Sequence, residues 1–163
     1  MKSQEFKMPI FGVGPIYVII CLILTIAGIW LHLNGYIYQG KMIKGKIFFI
    51  IAGIFMILLG IYLWIQAVIF QKINKKVTEK KLITTGVYSI VRNPVYSAFT
   101  IIFTGIFLFT ANYILLILPF VFWAFLTILM KNTEEKWLKN EFVEEYEIYL
   151  KQVNRVIPRI RRK

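Results

Sequence analysis

Leu82–Tyr96, which reads LITTGVYSIVRNPVY, gathers side chains able to do chemistry behind a lysine-rich loop and at the mouth of an apolar run. Thr84, Thr85 and Gly86 offer hydroxyls, a flexible backbone and open N–H groups. Tyr88 and Tyr96 offer π-faces against which a cation can lie. Arg92 offers a planar cationic fork suited to a carboxylate or a phosphate. Pro94 disfavours helical geometry at Asn93 and is tolerated in the first turn of a helix that follows. A loop that ends in a helix N-terminus at a water boundary can hold a polar ligand. The plainer alternative is a basic loop with aromatics at a membrane surface, and on this stretch alone the two readings balance.

The elements that must position these groups follow from composition. Of 163 residues, 58% are hydrophobic, and the mean hydropathy is +0.67. That is too apolar for a soluble domain of this size. The expectation is an all-α integral membrane protein, one domain over residues 1–163. Asp is absent, and 20 Lys and Arg against 8 Glu give a net charge of +12. The single cysteine, Cys21, falls inside an apolar run, so neither a disulfide framework nor a metal site is expected. No nucleic-acid partner is expected either.

Residues 1–13 are short and weakly basic, and Gly12-Val13-Gly14 is a lone GxG with no strand before it, hence no dinucleotide loop. Gly14–Leu33 is long enough to span a bilayer and too long for a signal-peptide core. His32 ends that run and is read as interfacial, without a role in chemistry. Ile47–Phe70 is a second run, in which Gly53 and Gly60 fall on nearly one face and permit close helix packing. Val95–Met130 is too long for one span and fits two short arms, with a turn at Ala111-Asn112 and a kink at Pro119. The expected spans are therefore about 14–33, 47–70, 95–110 and 113–130. The last two form a hairpin that returns Lys131–Glu135 to the neighbourhood of Arg92–Tyr96.

Four spans put 17 cations on the side of the termini and the 71–94 loop, against three in the 34–46 loop. The positive-inside rule then places both termini in the cytoplasm. The expected location is a bacterial plasma membrane, and richness in Ile, Lys, Phe and Asn hints at an AT-rich genome.

Lys131–Lys163 differs in kind. Asn132 with Glu135, or Thr133 alone, can cap a new cytosolic amphipathic helix. Leu138, Phe142, Tyr146, Tyr149, Leu150 and Val153 recur at helical spacing and make its apolar face. Glu134 heads that face, expected beside Arg92, whereas Glu141, Glu144, Glu145 and Glu147 fall largely on the solvated side. Five cations and no acid from Arg155 to Lys163 suit anionic lipid headgroups.

Read together, G-V-Y-S-I-V-R-N-P-V-Y at 86–96, E-E-x-x-L at 134–138, F-V-E-E-Y-E-I-Y at 142–149 and V-I-P at 156–158 resemble the isoprenylcysteine carboxyl methyltransferases and related phospholipid methyltransferases. The resemblance covers about residues 71–160, with cofactor motifs at 80–96 and 131–158. It implies an integral membrane enzyme that binds S-adenosylmethionine at the cytosolic face and methylates a lipophilic acceptor. Carried over by position, it implies cofactor contacts from Lys80, Lys81, Leu82 and Ile83, from Tyr88, and from Glu134. The family's Arg-His-Pro-x-Tyr falls on Arg92, Asn93, Pro94, Val95 and Tyr96. Asn93 to Tyr96 are thereby implied in cofactor binding, and Arg92, Asn93 and Tyr96 in catalysis. Two departures stand out. Asn93 replaces the motif's His, and Met130 stands where the prenylcysteine enzymes carry a substrate-serving Arg four residues before the Glu. The cofactor half looks retained and the substrate half does not.

An ionised carboxylate acceptor needs no base, and the motif has no His to deprotonate a phenol or an amine. Methylation of an acidic oxygen, a carboxylate or an enol-like hydroxyl, is thus favoured over phospholipid N-methylation. The competing class is a small four-span transporter or scaffold. All four spans lack Asp, Glu, Lys and Arg, whereas ion-coupled carriers generally need an ionisable group within the membrane. The acceptor's identity and the oligomeric state are not legible.

Overall fold

The computed structural model describes residues 12–42, 44–71 and 81–157. Among these the regular structure is all helical, with two isolated bridges and no strand. Helix α1 is Gly14–Leu33, with Pro15 in its first turn, where the missing N–H is no loss. Helix α2, Lys46–Ile65, runs on into a π-helical turn, Gln66–Phe70. Helix α3 is Pro94–Thr110. After it come a 3₁₀ turn, Leu115–Ile117, and helix α4, Leu118–Asn132. Helices α5, Glu134–Glu141, and α6, Val143–Gln152, complete the order.

Gly14–Leu33, Lys46–Phe70 and Leu115–Glu141 are long and apolar enough to cross a membrane, and Pro94–Thr110 is a shorter apolar helix. Burial separates their roles. α1 and α2 turn bare apolar side chains outward, such as Ile19, Ile23, Phe48 and Phe55. α3 buries Ser97, Ala98, Thr100, Phe103 and Phe107. It is the central post, and the longer helices pack around it.

Small residues set how closely α2 approaches that post. A Cβ added at Gly53 would lie 2.8 Å from the Gly105 carbonyl oxygen, and one at Gly60 2.8 Å from that of Ala98. Contacts that short are forbidden, so only the missing side chains let the backbones meet. The packing face read from Gly53 and Gly60 is present as expected.

The turn at Ala111-Asn112 closes the end away from Tyr96. Ala111 is left-handed at φ 44°, and Asn112 is fully buried. The Asn112 amide donates to the Ile37 carbonyl at 2.9 Å, lies 3.1 Å from His32 Nδ1, and accepts the Ile114 N–H at 3.0 Å. Backbone bonds from Met42 to Ala111 and from Tyr113 to Gly40 join the turn to the 34–46 loop. His32 therefore has a structural partner.

Three local expectations are corrected. Pro119 does not kink the second arm. Residues 113–117 are spent on the turn and the 3₁₀ segment, so Pro119 falls in the first turn of α4, where it opens the helix. The amphipathic segment is two helices, because the backbone leaves helical geometry at Phe142 (φ −117°, ψ 28°). Thr133 stands at the N-cap of α5 without capping it, since its hydroxyl donates to the Leu129 carbonyl. The apolar stripe survives the break: Tyr146, Tyr149 and Val153 are buried together against Leu82, Leu138, Phe142 and Leu150.

Candidate functional site

At the end opposite Asn112, the start of α1, the end of α2, the 81–96 segment and helices α5 and α6 surround a cavity of about 470 Å³. The 3₁₀ turn Gly86–Ser89 brings Tyr88 into its wall. Tyr149 Oη donates to the Tyr88 carbonyl at 2.5 Å, which fixes α6 against that turn. Lys81, Leu82 and Ile83 lead into the turn along the same wall. Asn93 ends the loop, and Pro94, Val95 and Tyr96 open α3 at the cavity floor. Glu134 faces them from the first residue of α5. Lys80 lies outside the described residues. Every other residue to which the resemblance gives a cofactor-binding or catalytic role lines this one cavity.

Glu134 is buried. Its Oε1 accepts the Tyr96 hydroxyl at 2.5 Å and the Val13 N–H at 2.9 Å. Burial is the larger effect and holds its carboxyl above the usual carboxylate range, while those two hydrogen bonds pull the other way. No basic side chain pairs with it among the described residues. The expected neighbour, Arg92, is taken by the adjacent residue instead: Arg92 Nη2 donates to Glu135 Oε1 at 3.1 Å. Consecutive helical residues point about 100° apart, so the two carboxylates serve different partners.

Two polar atoms of cavity-lining residues are buried without a partner, Tyr88 Oη and Arg92 Nε. Burial, with lesser contributions from Tyr149 and Glu134, pushes the Tyr88 phenol far above its ordinary value. It therefore keeps its proton and remains a donor without an acceptor. Asn93 is occupied, its side-chain amide donating to the Arg155 carbonyl at 3.3 Å. The remaining wall is apolar, with Val18 of α1, Trp64 and Val68 from the end of α2, and Phe99 of α3.

Sequence reasoning missed the start of α1. Gly12-Val13-Gly14 is no phosphate loop, yet it seats the carboxylate. A Cβ on Gly12 would overlap Glu134 Oε1, and one on Gly14 would press the Tyr96 ring at 3.1 Å. Two glycines bracketing one backbone donor ahead of Pro15 were the available signal. Tyr17 was missed as well: its ring meets Tyr96 edge-on at 5.9 Å, and its hydroxyl pairs with Thr100 at 2.6 Å. Arg155, grouped by sequence with the lipid-facing tail, turns inward onto Glu135.

A sequence model of the phospholipid methyltransferase family matches residues 43–145, well over half of the chain. The chain belongs to that family. The phospholipid methyltransferase family includes the isoprenylcysteine carboxyl methyltransferases, and its enzymes normally depend on S-adenosylmethionine. Together with the three membrane-length apolar helices, membership makes this a membrane methyltransferase. Neither a curated protein nor a solved structure matches the chain. α1 and the segment after α6 lie outside the part matched to the phospholipid methyltransferases, and both contribute to the cavity and its supports.

Gly12 and Gly35 are both left-handed, at φ 54° and 80°, but a Cβ at Gly35 meets nothing within 4 Å. Gly35→Ala should cost only the backbone strain, about 1–2 kcal/mol. Gly12→Ala should cost that and about 1 kcal/mol more, because the added methyl displaces the Glu134 carboxylate. Unfolding in detergent compares the two. Equal losses would mean that Gly12 does not seat the carboxylate.

Proposed function

We propose that this chain is an S-adenosylmethionine-dependent methyltransferase that holds its cofactor in the cavity between Glu134 and Arg92 and acts on a lipophilic acceptor. The observation that carries this reading is a buried carboxylate with no paired cation among the described residues, in one cavity with Tyr88 and Arg92, each of which has a buried donor without an acceptor. An amino acid end, ammonium beside carboxylate, complements that set. The cofactor, when bound, supplies an electrophilic methyl group on a sulfonium. Glu134 would hold the amine through its second oxygen, and Arg92 Nε and Tyr88 Oη would donate to the carboxylate. Tyr96 positions Glu134, and Tyr17 braces Tyr96. The apolar wall of Val18, Trp64, Val68 and Phe99 excludes water from the methyl group and suits the tail of an acceptor arriving sideways from the bilayer.

No histidine lines the cavity, and the buried Tyr88 phenol is a poor base at neutral pH. A carboxylate needs no base from the chain, and this favours methylation of an acidic oxygen, that of a carboxylate or of an enol-like hydroxyl. The family's description favours the second reading, methylation of a phospholipid amine. Four crossings, with both termini and the 71–94 loop in the cytoplasm, would let the cofactor enter from the water.

Three outcomes are expected. Glu134→Gln should weaken S-adenosylmethionine binding by about 1.5–3 kcal/mol, the scale of a charged hydrogen bond, while the exposed Glu144→Gln leaves it unchanged. Calorimetry on purified chain that finds equal effects would remove Glu134 from the site. Membranes given methyl-labelled cofactor should yield a lipid that carries the label on oxygen, as an ester that mild alkali cleaves to methanol or as an alkali-stable ether; a label on a phospholipid amine would decide for the second reading. Reporter fusions at Gly40 and after Lys163 should lie in opposite compartments, and a shared compartment would rule out four crossings.

A further inference from the structure

The segment that follows α6 is fastened to the loop that carries Arg92. Val91 and Asn154 form a parallel bridge. The Arg92 N–H donates to the Asn154 carbonyl at 2.8 Å, and the Asn93 N–H to that of Arg155 at 3.1 Å. Ser97 Oγ donates to the Val156 carbonyl at 3.3 Å. These bonds hold Arg155 where its guanidinium forks onto Glu135, Nε to Oε1 at 2.6 Å and Nη2 to Oε2 at 2.9 Å. The fork engages both carboxylate oxygens, and Arg92 reaches Oε1 through Nη2 alone. Its Nε is left buried and unpartnered. Burial works against the charge on Glu135, but the Arg155 hydrogen bonds and the charges of Arg92 and Arg155 outweigh it. The same hydrogen bonds raise Arg155 above its ordinary range. Two cations thus share one anion, and the surplus positive charge lies next to the cavity.

We propose that Arg155 is a positioning residue for Arg92: by occupying Glu135 in a two-bond fork, it keeps the Arg92 Nε open for an anionic group in the cavity. The inference rests on the proposed function, in which that group is the carboxylate of S-adenosylmethionine. Without Arg155, Glu135 keeps Arg92 as its one hydrogen-bonded cation. A carboxylate facing a lone guanidinium favours the paired geometry in which two nitrogens donate in parallel. Glu135 then takes Nε as well as Nη2, and the donor that the cofactor needs is consumed within the protein. Lysine cannot replace Arg155 in this task, because an ammonium is a point charge without a fork.

The test is calorimetric titration of S-adenosylmethionine into the full chain in detergent, with an unfolding midpoint recorded for each variant. Arg155→Ala should weaken binding roughly tenfold, the scale of one charged hydrogen bond. Arg155→Lys, which preserves the charge, should stay weak. In an Arg92→Ala background, either substitution should change binding by less than about twofold, since there is no Nε left to protect. Should Arg155→Ala fail to fold, the Lys variant in the two backgrounds decides alone. An equal loss in both backgrounds, or full recovery with Lys, would assign Arg155 a structural or purely electrostatic role and overturn the inference. A wild type that binds while Arg155→Ala binds equally well overturns the inference alone. A wild type that binds no S-adenosylmethionine overturns the proposed function, and this inference with it.

Discussion

The Glu134 carboxylate takes two donors on one oxygen, and different helices deliver them. Val13 brings a backbone N–H from the head of α1, and Tyr96 brings a phenol from the first turn of α3. A carboxylate withdrawn from water is expensive unless hydrogen-bonded, so the three elements cannot separate at this point without leaving it exposed or unpartnered. The glycines at 12 and 14 exist in that geometry because side chains there would occupy the space of the carboxylate and the Tyr96 ring. The node fixes the mouth of the bundle through Oε1.

The bundle is built differently at its two ends. The end around Asn112 satisfies its polar groups internally, with the amide bonded to the 34–46 loop and to its own turn. The end around Glu134 does not, since Tyr88 Oη and Arg92 Nε have no partner. Most buried polar groups in folded proteins are paired. Two orphans of the donor type, near a carboxylate with no counter-ion among the described residues, are why the cofactor is proposed at this end.

Apolar length makes most of the fold legible in the sequence. Gly14–Leu33 coincides with α1, and the expected third span with α3 after one residue is added. Composition does not convey how the 95–130 run is divided after its turn, which is why Pro119 opens a helix where a kink is expected. The cavity residues from Leu82 to Tyr96 are legible because their types are unusual at the edge of an apolar run. Val13 is not, because its contribution is a backbone N–H, which every residue except proline has. Arg155 is hidden for a related reason. In a basic segment, charge alone does not say which cation turns inward, and the answer depends on a backbone pairing between positions more than sixty residues apart.

That pairing has a consequence for how the chain comes to exist. Residues 154–156 leave the ribosome after every apolar helix that lines the cavity has been synthesised. The spans can insert and α2 can pack on α3 while Arg92 still lacks its clamp. The cationic wall of the cavity is therefore the last part to be assembled. A nascent chain arrested short of Asn154 would be a membrane-inserted bundle with the Glu134 side of its cavity formed and the Arg92 side unfinished.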